Sequence, residues 1–273
     1  MLIQLKSLIK ACDRIKLSYT FFDDNQNCII VHAKQGKIWF VNFAVSINTD
    51  ADNNIAQDKY FTYKLLIDSV KQPNTTCYVD PFISDQYSEY IKERNYDAIT
   101  DEIVKHHSLP CIVKQTRGTH GINVFICATR SDIQMAVSTI LNQKSKDYDY
   151  TVLAQEYITP LDEFRLVVLY GKIQFVYKKD TSNATYNGNV SPLHWEDARA
   201  ALIDDQALIK RCQSFVDSIY KIFPIAFTGI DLIVDAQDEI YLIEVNSRPG
   251  LGFFIRDNGD EKVVNVYEEI LNK

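Results

Sequence analysis

Three oxygen-bearing side chains interrupt two apolar runs near the end of the sequence. The runs are residues 230–234 and 240–245, and the side chains are Asp231, Glu244 and Asn246. If residues 237 and 238 form the tip of a hairpin, Asp231 lies opposite Glu244, and Asn246 shares the face of Glu244 because strand side chains alternate. Facing carboxylates repel each other, whereas Mg²⁺ prefers carboxylate and amide oxygens. The pattern predicts a magnesium site of the kind that also holds phosphates.

A second hairpin carries the opposite charge. Residues 164–179 alternate strongly, and Gly171 and Lys172 are the predicted two-residue tip. This register places Arg165 opposite Lys178, and two cations on one face favour an anion between them. For each hairpin alone, the alternative is a solvated charged face or cations that pair with neighbouring acids. Together, the hairpins predict a site for a metal–polyphosphate complex.

Composition limits the class of partner. The 273 residues carry a net charge of −7 with a pI near 5.3, which argues against nucleic acid or an anionic membrane as the main partner. No apolar run approaches the ~20 residues of a membrane span. Six scattered cysteines form no Cys-x-x-Cys motif, and the first residues do not resemble a signal peptide. We therefore expect a cytoplasmic protein with reduced thiols.

Short strands, helices and hairpins alternate along the chain. Apolar spacing and turn residues predict helices at 2–16, from near 58 to 70, over most of 84–106, and at 131–143, 197–223 and 263–271. The predicted strands are 27–34 and 37–43 with a Gln35-Gly36 turn, 76–80, 111–115, 122–128, 151–158 and the two hairpins above. Residues 48–58, 116–121 and 180–193 are predicted loops. This mixture predicts an α+β fold with helices on one face of each sheet.

The segment Glu-Val-Asn-Ser-Arg-Pro-Gly at 244–250, with Asp231 on the partner strand, resembles the carboxyl-terminal signature of the ATP-grasp superfamily. The resemblance extends over roughly residues 55–255. It is nearest to cyanophycin-synthetase-like ligases and to glutamate ligases that modify ribosomal proteins. It implies an ATP-grasp fold, in which two α+β lobes clamp ATP. Asp231, Glu244 and Asn246 would hold one or two Mg²⁺ ions, with Mn²⁺ as an alternative.

The resemblance also assigns nucleotide contacts. Lys59 and Lys114 would reach the phosphates, and backbone amides of residues 117–121 would cover them. The backbone of residues 156–158 would bind adenine, with Gln155 or Glu156 on its exocyclic amine, and Asp162 or Glu163 would bind the ribose. The full set of expected nucleotide-binding residues is Lys59, Lys114, Gly118, His120, Gly121, Gln155, Glu156, Tyr157, Ile158, Asp162, Glu163, Asn187 and Asn189.

Three cations are the expected catalytic residues. By resemblance, Arg165 lies beside the transferred phosphate, and Lys178 occupies a position where relatives carry Arg or Lys. Arg248 follows Asn246 by two positions, where an arginine can hold a carboxylate or an acyl phosphate with two hydrogen bonds. His106, His107 and His194 lack the spacing of metal ligands and are expected in surface or loop positions.

The resemblance implies three regions and one reaction. Residues 1–58 form a short amino-terminal region, 59–150 a lid subdomain, and 151–273 the carboxyl-terminal subdomain with the metal site. The implied activity is an ADP-forming carboxylate–amine ligase that makes an amide or peptide bond through an acyl phosphate, on an amino acid or peptide. The alternatives are a small-molecule kinase and a non-catalytic nucleotide-binding protein. The short first region leaves the acceptor side open to a large substrate, or a homodimer partner completes it.

Overall fold

Hairpins build most of the structure by joining neighbouring strands into three antiparallel sheets. The structure is a computed structural model that describes residues 1–273, with the exception of the side chain of Asp85. The α+β class predicted from the sequence is confirmed, because helices cover the faces of sheets that contain no regular βαβ repeat.

The amino-terminal region consists of one helix and a small sheet. Its elements are α1 (Ile3–Ile15), β1 (Tyr19–Phe21), β2 (Cys28–Ala33), β3 (Gly36–Val41) and β4 (Ala44–Val45). The predicted helix and hairpin are confirmed, and the strands bury the alternate residues Ile29, Val31, Ile38 and Phe40. The predicted turn is wrong by one residue: Ala33 pairs with Gly36, so Lys34 and Gln35 form the turn.

The segment predicted as a loop at 48–58 is helical. It forms α2 (Asp50–Gln57), which is followed directly by α3 (Lys59–Leu66). The amide of Asp52 donates to Thr49 Oγ1 at 3.1 Å, and the amide of Thr49 donates to Asp52 Oδ2 at 2.8 Å. This capping box provides hydrogen-bonding partners for backbone N–H groups at the start of the helix, of which only Ala56 is buried. Asp58 caps α3, at the predicted start of that helix.

A four-stranded sheet and two helices form the small lobe. The strands are β5 (Thr75–Val79), β6 (Cys111–Gln115), β7 (Val124–Cys127) and β8 (Thr151–Glu156), in the order β5-β8-β6-β7. Helices α4 (Tyr96–His106) and α5 (Arg130–Ile140) bury Ile99, Ile103, Ile133 and Val137 against it. The helix predicted over most of 84–106 is two pieces, a 3₁₀ turn at Asp85–Tyr90 and α4.

The large sheet has five strands and is covered on both faces. Its strands are β9 (Asp162–Leu169), β10 (Lys172–Asp180), β11 (Arg199–Ile203), β12 (Phe227–Val234) and β13 (Ile240–Asn246), in the order β11-β10-β9-β12-β13. Helix α6 (Gln206–Ile222) packs on one face, and α1, α7 (Gly252–Asn258) and α8 (Glu261–Asn272) pack on the other. The expectation of helices on a single face is therefore wrong for this sheet. The helix predicted from 197 begins only at Gln206, because residues 199–203 pair with β10.

The amino-terminal region shares its core with the large sheet. Leu5, Leu8 and Phe40 are buried in the same cluster as Phe254 and Tyr267 from the carboxyl-terminal helices. The buried side chain of Asn48 donates to the carbonyl oxygens of Phe227 (2.7 Å) and Ser247 (3.1 Å). No helix in the described part of the chain is both long and apolar enough to cross a membrane.

Candidate active site

Strand pairing places Asp231 between an acid and a base. It lies opposite Glu244 on β13, as predicted, and opposite Arg165 on β9. A bulge after Asp231 shifts the rest of the β12–β13 register by one residue. Arg165 donates from Nε and Nη2 to the two carboxylate oxygens of Asp231 at 2.5 and 2.6 Å. This bidentate geometry is the strongest form of a charge-assisted hydrogen bond.

Lys179, and not Lys178, is the second cation on this face. The β9–β10 turn is formed by Tyr170 and Gly171, and a bulge between Ile173 and Phe175 then shifts the register, so Arg165 lies opposite Tyr177 and the predicted pairing with Lys178 is wrong. Lys178 points to the other face and contacts Asp162. Lys179 Nζ lies 3.2 Å from Asp231 Oδ2 and 3.5 Å from Glu163 Oε2. The predicted tip lay one residue too far along the chain, which alone moves the register by two residues, and the bulge reduces the difference to one.

The buried charges of this cluster hold each other ionised. Burial alone opposes ionisation of Asp231, but the charges of Arg165 and Lys179 outweigh it and lower the pKa of Asp231 far below its ordinary value. Burial also raises the pKa of Glu163, against the opposing charge of Lys179. The result is a fixed array of alternating charges on one face of the large sheet.

Lys59, the first residue of α3, contacts both the large sheet and the loop that follows β6. Its Nζ lies 3.2 Å from Glu244 Oε1 and donates to the carbonyl oxygen of Gly118 at 2.7 Å. Its own amide donates to the carbonyl oxygen of Thr116 at 3.2 Å. The first residue of α3 therefore connects the large sheet to the loop of residues 117–121, which we call the glycine loop. Lys59 and Glu244 also line a narrow cleft with Tyr63, Gln155 and Leu242.

Lys114 is buried on β6 beside Gln155. Its Nζ donates to Gln155 Oε1 at 2.8 Å, and the amide of Gln155 donates to Thr75 Oγ1 at 2.9 Å. Burial, followed by the positive charge of Lys59, lowers the pKa of Lys114 to about 8, while Glu244 acts in the opposite direction. A buried cation with one neutral partner is suited to receive a negative ligand.

The side chains of Asp231, Glu244 and Asn246 fit a hard divalent cation. The two carboxylates lie on paired positions of β12 and β13, and Asn246 follows on the same strand. Among the described side chains, the amide nitrogen of Asn246 is buried without a hydrogen-bonding partner. Because an amide N–H is a hydrogen-bond donor, water or an anionic ligand such as phosphate would satisfy it, whereas a metal ion would bind Asn246 through its Oδ1 atom. The donor types are those that Mg²⁺ accepts together with phosphates.

The glycine loop contacts a second loop across the cleft. This second segment, residues 181–198, is called the polar loop. Asn189 Nδ2 donates to the carbonyl oxygen of His120 at 3.0 Å, and Asn187 Nδ2 donates to the carbonyl oxygen of His194 at 2.8 Å. Gly121 has φ +73°, and a Cβ built there would lie 2.1 Å from Asn189 Oδ1. Four of the residues predicted to bind the nucleotide thus lie at or beside the contact between the two loops: His120, Gly121, Asn187 and Asn189.

The three histidines expected in surface or loop positions differ in environment. His106 is exposed at the end of α4, and His107 lies in the loop that follows, as expected, but is buried with its Nε2 2.8 Å from Thr76 Oγ1. His194 ends a 3₁₀ turn in the polar loop, and its ring packs edge-on against those of His120 and Phe253. No spacing pattern predicts the His120–His194 pair, because the two residues are far apart in sequence and come together only in the folded chain.

The segment predicted to bind the nucleoside lies between β8 and β9. Glu156 ends β8; its amide donates to the carbonyl oxygen of Asn74 at 2.8 Å, and its carboxylate accepts from the Asn74 amide at 3.2 Å. Tyr157 and Ile158 follow, half-buried, in the irregular link to β9. Asp162 and Glu163 begin β9 and pair with Lys178 and Lys179. Arg248 is exposed in the turn after β13.

Comparison with known proteins gives consistent matches. The model of the RimK-like ATP-grasp domain matches residues 56–271. A D-alanine–D-alanine ligase of Bacteroides fragilis is 24% identical over 284 residues, covering 85% of this chain and 83% of that protein. A probable alpha-L-glutamate ligase of Aeromonas salmonicida is 25% identical over 155 residues, covering 56% of this chain and 48% of that protein.

Solved structures show the same fold at low sequence identity. D-alanine–D-alanine ligase from Bacillus anthracis superposes with a TM-score of 0.57 at 18% identity, covering 82% of this chain and 67% of that one. The ATP-grasp ligase PsnB, complexed with a minimal precursor, gives a TM-score of 0.56 at 17% identity, covering 83% and 63%. The fold predicted from the signature at 244–250 is confirmed.

Proposed function

Because the chain belongs to the family of RimK-like ATP-grasp domains, we propose that it is an ATP-dependent, ADP-forming ligase that joins a carboxylate to an amine. Its curated relatives are named as ligases of D-alanine and of L-glutamate. We propose an amino acid or a peptide as substrate on that basis.

One observation supports this reaction above the others: cations from both lobes lie in contact with, or within electrostatic range of, the carboxylates of Asp231 and Glu244. Arg165 and Lys179 come from the large sheet, Lys114 comes from the small one, and Lys59 lies between them against Glu244. Phosphoryl transfer needs little covalent chemistry from the protein and is accelerated by positioning and charge neutralisation. The cleft has the charges for that task.

The reaction proceeds in two steps. The substrate carboxylate attacks the γ-phosphorus of ATP, ADP leaves, and an acyl phosphate forms. Arg165 and Lys179 stabilise the negative charge that spreads over the transferred oxygens, and Lys59 and Lys114 hold the nucleotide phosphates. Bound Mg²⁺, held by Asp231, Glu244 and Asn246, would supply further neutralisation of phosphate charge. The amine then attacks the acyl carbon, and phosphate leaves as the amide forms.

Further residues orient the nucleotide in this proposal. The ends of β8 and the link at 156–158 bind adenine, and Asp162 or Glu163 binds the ribose. The nucleotide lies between the lid subdomain at 59–150 and the subdomain at 151–273. The backbone of the glycine loop, which belongs to the lid, covers its phosphates. Arg248, exposed next to the metal ligands, binds the substrate carboxylate or its phosphate. We retain a homodimer as the arrangement that would enclose the acceptor side.

A product screen tests the proposal. Purified protein with ATP and Mg²⁺ is supplied with pairs from a panel of amino acids and dipeptides, ADP release is measured, and products are identified by mass spectrometry. We expect ADP, phosphate and an amide in equal amounts for the correct pair, and none of them with Glu244→Gln. A phosphorylated hydroxyl product would instead show a kinase, and nucleotide binding without turnover on any pair would show a non-catalytic protein.

A further inference from the structure

Two histidines from different loops, His120 and His194, pack against each other. The ring centroids of His120 and His194 lie 5.5 Å apart, and His194 also contacts the ring of Phe253 at 5.1 Å. Asn189 fixes the pair by donating to the carbonyl oxygen of His120, while the Trp195 indole donates to the carbonyl oxygen of Asn189 at 2.5 Å. The contact is therefore held by both loops rather than by the rings alone.

The position of His194 relates it to the reacting centre. The 3₁₀ turn Pro192–His194 packs on β10, the strand that carries Lys179. The positive charges of Arg165 and Lys179 are close enough to His194 to act on its ionisation. Arg165 and Lys179 are the residues proposed to hold the transferred phosphoryl group. His194 therefore lies within electrostatic range of the residues proposed to hold that group.

The surroundings of His194 favour a neutral imidazole. Burial lowers its pKa from the ordinary value of 6.5, and the charges of His120, Arg165 and Lys179 lower it further. The groups that face it are His120 from the glycine loop, Arg165 from β9, Lys179 from β10 and Phe253 from α7, whose ring is covered by Arg256. Among the described side chains, no carboxylate contacts the ring to counter this effect.

We propose that His194 is the general base that removes a proton from the ammonium group of the second substrate, with His120 as the residue that positions it. This inference rests on the proposed ligase reaction and assigns a role in its second step. Because an amino acid's amine is largely protonated at neutral pH, it cannot attack until a base accepts a proton. A neutral imidazole at His194 has a nitrogen lone pair that can accept this proton.

The step balances as follows. One ammonium proton passes to an imidazole nitrogen of His194, and the freed nitrogen lone pair forms the C–N bond at the acyl carbon. The bond between the acyl carbon and the phosphate oxygen then breaks, and its electron pair leaves with phosphate. The second surplus proton of the nitrogen goes to the departing phosphate, and His194 returns its proton to water. No oxidant, reductant or further reactant is needed.

Hydroxylamine separates the two steps, since it is largely unprotonated at neutral pH and traps acyl phosphates as hydroxamates without a base. The experiment supplies ATP, Mg²⁺ and the amino acid panel to wild type, His194→Gln and His106→Gln, with hydroxylamine in one arm and amino acids as amines in the other. For His194→Gln we expect amide formation to fall on the order of 10²- to 10⁴-fold, while hydroxamate formation stays close to wild type. His106→Gln, an exposed histidine on α4, should change neither rate.

Two further measurements distinguish a base from a structural residue. With His194→Gln, residual amide formation should rise in proportion to hydroxide as the free amine becomes available, and in His194→Ala added imidazole should restore amide formation. Equal loss of hydroxamate and amide, unchanged amide formation, or failure of imidazole to restore it would overturn the role of His194. A wild type that makes neither product would overturn the ligase proposal itself.

Discussion

Asp231 is the residue on which the charge array of the site depends. The residue is 5% exposed and its carboxylate pairs with Arg165 and Lys179, while Glu244 lies opposite on the next strand. Alternation along 230–246 and an assumed tip at residues 237 and 238 predicted the Asp231–Glu244 pair. The observed hairpin is centred on residue 237, so that tip is wrong by half a residue, and the pair forms because of the bulge after Asp231. The pairing of Asp231 with Arg165 was not predictable in this way, because β9 and β12 are distant in sequence and no turn fixes their register.

Asp231→Asn should affect both turnover and stability. Removing the carboxylate leaves two cations without their main partner in a buried position, which costs roughly 3–5 kcal/mol of unfolding free energy. Glu244→Gln is the matched variant: it removes a half-buried carboxylate, and we expect loss of metal-dependent turnover with a free energy of unfolding close to wild type. Urea unfolding and ADP release measure both effects. Equal stability of the two variants would contradict the pairing seen here.

Lys178 and Lys179 are adjacent but point to opposite faces of the large sheet. We expect Lys179→Met to lower turnover by about 10²- to 10³-fold, as for loss of one charge-stabilising group in other enzymes. Lys178→Met should retain most of the activity, because its partner Asp162 lies on the other face. Steady-state ADP release decides between them, and a larger loss in Lys178→Met would support the register first predicted from the sequence.

The lowered pKa of Lys114 predicts a basic limit to nucleotide capture. Below its pKa of about 8 in the free protein, Lys114 is charged and attracts phosphate; above it, the charge is lost. We expect kcat/KM for ATP to fall as pH rises through about 8, since this parameter reports the ionisation of the free enzyme. In Lys114→Arg the side chain stays charged, so the basic fall should disappear. A profile that is the same in both proteins would exclude Lys114 as its cause.

At the scale of elements, the contact between the glycine loop and the polar loop carries a prediction. Gly121 and Gly188 both have positive φ, at +73° and +88°, but only at Gly121 would a Cβ meet a neighbour, Asn189. Ala at either position has the same kind of backbone strain. We therefore expect Gly121→Ala to raise the KM for ATP clearly more than Gly188→Ala does. Equal effects in steady-state kinetics would show that loop contact is unimportant.

Most elements were predictable because periodicity and turn residues mark them, and the misses have local causes. The polar sequence of α2 predicts a loop. The segment is helical although it buries little apolar surface, because the Thr49–Asp52 capping box provides the hydrogen bonds of its first turn. Strand β11 was absorbed into the predicted helix because residues 199–203 acquire their conformation by pairing with β10. The role proposed for His194 was not predictable for a similar reason: its neighbours come from other parts of the chain.

At the scale of the whole molecule, the amino-terminal region and the large sheet form one core. Helix α1 packs against α8, and Asn48 bonds to the backbone of β12 and of Ser247. We expect deletion of residues 1–46 to abolish cooperative unfolding, because it uncovers the buried faces of α7 and α8. In the full-length chain, Leu8→Ala should cost about 2–5 kcal/mol. Calorimetry tests both, and a deletion variant that unfolds like wild type would show an independent lobe.

The bridging role of Lys59 has a consequence for ligand choice. Lys59 neutralises Glu244, as Arg165 and Lys179 neutralise Asp231, so the acids and bases of the cleft already compensate one another. A phosphate alone would pair with the lysines and the arginine and leave the carboxylates without partners, and a metal ion alone would leave the cations without partners. A metal–phosphate complex supplies a new partner to both the cations and the carboxylates. The protein should therefore discriminate against isolated phosphate and isolated metal, and admit them best as a single complex.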